Sequence, residues 1–380
     1  MIIRPVALSD LPALQAIAVE SGPGFMSLVD DQDFLTRKIE RSIASFASDV
    51  RQPGDQSYLF VLVDPQTGGV MGTTGIEASI GAKRPLYHFR VGDSAPQSDP
   101  QRLSLHHQTL TLCTHYSGCS EICTLFLRPR YRRPWAGKLL SRVRFLFMAQ
   151  HPQRFANKVI AEMRGVSDAS SHSPFWQWLQ GHFIGLDFAT VSRMVGTGNN
   201  SFIGDLMPTH PLDTHLMSPE ARAVIGQVHP DTAPALHMLT TEGFRFNGLI
   251  DPFDGGPRVE ARVADLRSAT KSRRCRVHIR PDLGPASGPW TNGGQGKTLM
   301  VTNTGTTDFR AIVTHAARYL PAQDKLELPG ALAESLNLSS QAEVCFADLS
   351  ANSSKSQGAS IAKPCQTGSI NLFEEAFRAY

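Results

Sequence analysis

Nowhere in the chain do 18 apolar residues run together, and the opening MIIRPVALSD has no apolar stretch of signal-peptide length. Neither a membrane protein nor a secreted one is expected, and a cytoplasmic protein is. Cysteine is scarce. Its six residues (Cys113, Cys119, Cys123, Cys275, Cys345, Cys365) show no CxxC pair and no matching histidine spacing. That argues against a disulfide scaffold and against zinc, so no metal site is expected. Net charge is nearly absent too. A formal +3 over 380 residues gives no whole-chain basic field, so no nucleic-acid partner is expected. What remains is an ordinary globular composition, 41% hydrophobic and 19% charged, in a chain too long for one ordinary core.

Against that neutral background one stretch is locally basic. Residues 128–144, around YRRPWAGKLLSR, carry seven lysines or arginines and no acid. The strand pattern SEICTLFLRP precedes the loop, the helix pattern AGKLLSRVRFLFMAQ follows it, and NKVIAEMRG returns as a strand. Together they predict a right-handed βαβ unit with parallel strands. A helix start exposes unpaired N–H groups and about half a positive charge, which suits a small dianion such as a pyrophosphate. The competing reading is a solvated basic helix face. A nucleic-acid patch is disfavoured because no aromatic platform accompanies it.

Elsewhere, IIRP reads as a strand and SDLPALQAIAVESG as a helix, followed by a second helix in DDQDFLTRKIERSIASF. Two apolar runs around Pro65–Gly69 predict a hairpin. SPFWQWLQGHF reads as a helix and 190–228 as irregular chain. HPDTAPALHMLTTEGF is a helix opened by Pro230 and closed by Gly243, and two strands flank Asp254-Gly255-Gly256.

The order strand–loop–helix–strand, then helix–hairpin, resembles the GNAT acyltransferases. Arg132 to Gly137 fits their pyrophosphate loop short of one glycine. The expected fold class is α+β, a GNAT-like mixed β-sheet flanked by helices, with a small C-terminal β-rich satellite domain. The expected boundaries are 1–265 for the transferase region, 266–346 for the satellite and 347–380 for a flexible tail. Within the first, the strand–loop–helix–strand unit takes 120–165, an insertion 166–228 and the helix–hairpin end 229–263. In that fold two parallel strands, here 121–127 and 157–163, splay apart. Their unpaired backbone groups call for a partner such as the amides of a pantetheine arm.

More specifically, SEICTLFLRPRYR, GKLLSRVRFLFMA, IAEMRGVSD, SPFWQWLQGHF, FIGDLMPTHP, VIGQVHPDTAPALHMLTTEGF and DPFDGGPRVEAR, in this order, resemble the arginine N-succinyltransferase family. The resemblance implies transfer of succinyl from succinyl-CoA to the α-amino group of L-arginine. It implies succinyl-CoA as a co-substrate with no tightly bound cofactor, and a homo- or hetero-oligomer, since some members work as paired unlike subunits. It places the succinyl-CoA contact at Leu125 and the proton-donating histidine at His229. Leu127, Arg132, Arg133, Gly137 and Lys138 join Leu125 as expected CoA-binding residues. Glu162, Arg164 and Asp251 are expected at the substrates, with Asp30, Asp31 and Asp205 as other partners for a guanidinium and Arg90 as another for the succinyl carboxylate. Two departures stand out. Trp135, preceded by Pro134, occupies a loop position where the family usually has glycine, and SGPGFMSLVDD (21–31) differs from the family's usual form near the acceptor site. A poorly active partner subunit, or an acyltransferase for another amine, is the alternative.

Overall fold

The computed structural model describes residues 1–22, 25–94, 107–168, 172–198, 202–208, 210–280 and 297–350. From residue 351 onward the expected tail lies outside them. The first strands are β1 (Ile2–Pro5), β2 (Ser57–Val63), β3 (Val70–Glu77), β4 (His88–Ser94), β5 (His107–Cys113), β6 (Ser120–Leu127), β7 (Lys158–Glu162) and β8 (Leu212–Asp213). They continue with β9 (Arg245–Ile250), β10 (Pro257–Arg262), β11 (Arg273–Arg280), β12 (Leu299–Asn303), β13 (Ala311–Thr314), β14 (Arg318–Leu320), β15 (Lys325–Pro329) and β16 (Glu343–Asp348). All pair into one mixed sheet in the order 14-15-11-16-12-13-1-2-3-6-7-10-9-4-5-8. The main helices are α1 (Leu11–Ser21), α2 (Gln32–Ala47), α3 (Ala136–Gln150) and α4 (Pro174–His182). They are followed by α5 (Phe188–Gly196), α6 (Phe202–Leu206), α7 (Pro219–Ala223) and α8 (Ala233–Glu242). The expected α+β class holds.

Strand β2 shows how the layers form. Its side chains alternate, so Tyr58, Phe60 and Leu62 join the cluster under α3, while Leu59 and Val61 join the one under α1 and α2. A sheet covered on both faces needs an unbroken apolar strand, which is why YLFVL is buried throughout. The predicted hairpin closes at Gly68, whose φ of 71° suits glycine and whose N–H reaches Asp64 O at 2.8 Å.

The segment 190–228 is not the irregular chain expected. It holds α6 and α7, and α5 runs into it, all packed with α4 around Trp176, Phe188, Val191 and Ile203. At five residues each, α6 and α7 are too short to show a 3.6-residue period, and the caps Asp187 and Ser218 start α5 and α7. The segment 266–346 builds its own apolar cluster around Val277, Val301 and Leu328. It joins the sheet where Ile2 of β1 pairs with Ile312 of β13, and residues 1–350 form one compact unit.

Candidate active site

Strands β6 and β7 are parallel, and their pairing is confined to Ser120 with Val159 and Glu121 with Ile160. Beyond that point β6 bonds only to β3 and β7 only to β10. The two strands therefore open into a V toward Leu127 and Glu162. A bulge sets the opening. Thr124 has φ 55°, the register with β3 slips between Thr73 and Gly75, and Thr73 Oγ1 donates to Thr124 O at 2.9 Å. An extra residue there bends the strand and frees backbone groups next to Leu125.

The basic loop closes one arm of the V. Its seven cations divide by role. Arg128 is buried on Glu20, Arg142 pairs with Glu242 at 2.9 Å, and Arg144 is buried. Arg130, Arg132 and Arg133 stay exposed and Lys138 half-buried at the mouth. Arg133 is steered by Asp64 at 3.8 Å, and burial lowers the Lys138 ammonium, with help from Arg142. The first turn of α3 leaves the N–H groups of Gly137 and Lys138 without acceptors among the described residues.

Trp135 explains the missing glycine. Its φ is 71°, a left-handed conformation that favours glycine and costs a bulky residue about 1–2 kcal/mol. The indole is held 4.8 Å from Lys138 Nζ and lies edge-on to His315, with ring centroids 6.2 Å apart. A Cβ added to Gly137 would meet nothing within 4 Å, so the indole does not cover that position. Gly137→Glu should therefore keep the fold and weaken CoA binding at least tenfold by placing a carboxylate where a dianion would dock. Calorimetric titration with CoA checks this. Unchanged affinity would reduce the loop to a basic helix start.

The other arm carries the histidine. Val228 bridges to Gly165, and His229 N–H donates to Arg164 O at 2.8 Å, which fastens the start of α8 to the end of β7. The His229 side chain is 14% exposed, and its Nδ1 accepts from Asp231 N–H at 3.2 Å. That bond assigns the proton to Nε2. The Asp231 carboxylate stands 3.9 Å from Nδ1.

Along the second arm and the β9–β10 turn beside it, a group of carboxylates surrounds a buried arginine. Arg258 is buried and its Nη2 reaches Asp251 Oδ2 at 2.9 Å. Glu162 Oε1 is 2.7 Å from the same nitrogen but poorly aligned for a hydrogen bond. Arg258 also touches His88 Nδ1. Asp254 accepts from Gly165 N at 2.7 Å and Gly256 N at 2.8 Å, which holds the β9–β10 turn against the end of β7. Burial, and then neighbouring carboxylates, push Glu162 and Asp251 well above the ordinary carboxylate range. Burial and Glu77 push Glu121, half-buried on β6, up to about 8. The same causes push the Cys123 thiol up to about 12, which leaves it protonated and a poor nucleophile.

These raised carboxylates predict a pH effect on stability. Where the folded form binds more protons than the unfolded chain, stability falls as pH rises. Glu121 in the unfolded chain ionises near 4.3, so its penalty grows from about pH 4 and is complete above about 8. Glu121→Gln should therefore raise Tm at pH 8.5 and change it little at pH 4.5. Melting curves at both values check this, and an equal shift at both would contradict it.

Leu125, Leu127, Arg132, Arg133, Gly137 and Lys138 thus lie along one arm, and Glu162, Arg164, Asp251 and His229 along the other or its flanking turn. The guanidinium of Arg164 turns to Ser167 Oγ at 3.0 Å, not to Glu162, whose cationic neighbour is Arg258. Asp31 is spent capping α2 at Phe34 N, and Asp30 and Asp205 are exposed. Sequence reasoning missed Glu77, Glu121, Cys123 and Arg258. Their signal was charge inside apolar strands: Glu121 in SEICTLFL and Arg258 in PRVEAR. Of the departing 21–31 segment, Phe25 packs on Phe126 of β6 with ring centroids 5.9 Å apart, which sets it beside the V.

Comparison with known proteins agrees with this geometry. Residues 1–268 match the family model for the arginine N-succinyltransferase beta subunit. Arginine N-succinyltransferases of Shigella sonnei and Escherichia coli are each 41% identical over 336 residues, 88% of this chain and 94% of theirs. The solved structure of arginine/ornithine succinyltransferase subunit AI from Pseudomonas aeruginosa superposes with a TM-score of 0.80 at 33% identity, over 91% of this chain and 98% of that one. The open β6–β7 pair, the basic loop at the start of α3 and these likenesses agree: the chain belongs to the arginine N-succinyltransferase family.

Proposed function

We propose that this chain transfers succinyl from succinyl-CoA to the α-amino group of L-arginine, giving N2-succinyl-L-arginine and CoA. The observation that carries the reading is the V between β6 and β7, with a cationic loop at one arm and a carboxylate group along the other. The pantetheine amides pair with the freed backbone near Leu125 and Leu127, and the pyrophosphate rests on the N–H groups of Gly137 and Lys138 with Arg132 and Arg133 nearby. Succinyl-CoA serves as a co-substrate, and no tightly bound cofactor is invoked. The carboxylates Glu162 and Asp251 favour a cationic acceptor, and Arg164 closes the end of β7 beside it.

The chemistry needs three proton events. The α-ammonium must lose a proton, and Glu121, a carboxylate pushed up to about 8, is suited to take it near neutral pH. The neutral nitrogen then bonds to the thioester carbon, and a backbone N–H at the β6 bulge stabilises the oxyanion. When the C–S bond breaks, the sulfur needs a proton from His229. A neutral imidazole cannot give one, so the ring first takes up the second proton, which the nitrogen sheds once it is bonded to carbon, and its Nδ1 turns from the Asp231 N–H to the Asp231 carboxylate. Nε2 then donates to sulfur and the ring is left neutral.

Among the described residues no helix is long and apolar enough to cross a membrane. The cytoplasm, with succinyl-CoA and free thiols, is the proposed place of action, and an oligomer of like or unlike chains the proposed assembly. The domain division near 265 is likewise kept as a proposal. Succinyl-CoA at a hundredfold excess over Kd should stabilise the protein by about 2.7 kcal/mol, and free succinate far less. Thermal denaturation with each ligand checks this. No shift with any acyl-CoA would remove the reading.

A further inference from the structure

Two carboxylates stand opposite each other where β6 and β7 part. Ile76 of β3 pairs with Ile122 of β6, and both enter the cluster under α3. The next pair along, Glu77 with Glu121, therefore points to the other face of the sheet, toward α2. Glu121 also pairs with Ile160 of β7, the last rung before the V opens. Side chains directly opposite on neighbouring strands have Cβ atoms about 5 Å apart, and like charges there repel.

The two acids are unequally served. Glu77 Oε1 accepts from Ser57 Oγ at 2.8 Å and from Lys38 Nζ at 3.4 Å, and Arg41 Nη2 stands 3.0 Å from Oε2. Both cations come from α2, and the Lys38 side chain is 11% exposed. Three such donors favour the charged form of Glu77. No hydrogen bond or ion pair among the described residues reaches the Glu121 carboxylate. One acid of the pair is thus committed to its charge, and the other is left to take up and release a proton. Burial acts on Glu121 first, Glu77 adds to it, and Lys38 pulls the other way. Cys123, two residues on, shares the face. Across the V, Glu162 and Arg258 point to it as well, because their neighbours Ala161 and Val259 pack under α3, and Asp251 joins them on Arg258.

We propose that Glu77 and Lys38 are positioning residues for the transfer. The fixed charge of Glu77 makes Glu121 the group that takes the proton of the acceptor's α-ammonium, and Lys38 limits the repulsion so that Glu121 can pass that proton on to water. The inference rests on the succinyltransferase reading, in which Glu121 is the base.

The test is the acid limb of kcat/KM for L-arginine, followed by thiol release at saturating succinyl-CoA. The full-length wild type is compared with Glu77→Gln, Lys38→Met and Lys38→Arg. The amine's own titration is the same for every variant, so a moved limb belongs to the protein. Glu77→Gln should move the limb about one pH unit lower, Lys38→Met about one unit higher, and Lys38→Arg should leave it in place. A purely structural role would lower the rate at every pH without moving the limb. A limb that stays in place in both Glu77→Gln and Lys38→Met overturns the proposal, and so does a Glu121→Gln variant with wild-type kcat. If Glu77→Gln does not fold, the two Lys38 variants carry the comparison. Melting curves test the pair without turnover. The gain in Tm expected of Glu121→Gln at pH 8.5 should shrink by about half or more in a Glu77→Gln background. A wild type that releases no thiol with arginine ends the transferase reading. The melting curves then decide the pair alone: a smaller gain supports it, and an undiminished gain refutes it.

Discussion

His229→Ala is expected to lower kcat by about 10²–10³-fold and to leave KM for succinyl-CoA within about twofold. A positioned acid–base group is worth up to about 10⁴, and the thiolate is a moderately good leaving group, so the low end applies. KM should hold because the proton meets charge that develops only as the C–S bond breaks. The fold should survive. His229 N–H ties α8 to Arg164 O through the backbone, which alanine keeps, and the lost side-chain bond to Asp231 N–H is a capping interaction of about 1 kcal/mol. Steady-state kinetics with a melting curve separates the outcomes. A near-wild-type kcat would strip His229 of its role, and a loss that tracks unfolding would make the histidine structural.

Arg258→Met should destabilise the protein by about 3 kcal/mol at pH 8, the low end of what breaking a buried ion pair costs. The guanidinium is the cation against Asp251 and Glu162, and burial already pulls it down to about 9. Without it those carboxylates must lose their counterion or take up protons. Taking up protons is easier in acid, so the loss should shrink toward pH 5. Urea denaturation at the two pH values measures it. Equal losses would mean that the carboxylates do not sense Arg258.

Much of this site was legible in the sequence because it is local. A strand, a basic loop and an apolar-periodic helix in 120–150 are consecutive, and so are Pro230 and the helix that ends at Gly243. What was not legible is long-range. Nothing near Glu162 indicates that Arg258, from a different strand of the sheet, will be its neighbour, because antiparallel pairing of β10 with β7 creates that contact. Strands β4 and β5 went unread, and their residues, such as His88, find a role only once the sheet is assembled. The glycine replaced by Trp135 was legible as a departure. That it marks a left-handed residue, with the indole turned onto Lys138 and His315, needed coordinates.

The central claim is that this chain joins a succinyl group to the α-nitrogen of arginine. Purified protein is incubated with succinyl-CoA and a panel of amines that includes L-arginine and L-ornithine, with thiol release followed and the products weighed by mass spectrometry. The account predicts thiol release that depends on L-arginine, matched one for one by a product heavier than arginine by a succinyl group and modified at the α-nitrogen. Binding of succinyl-CoA without amine-dependent release for any member of the panel would contradict it.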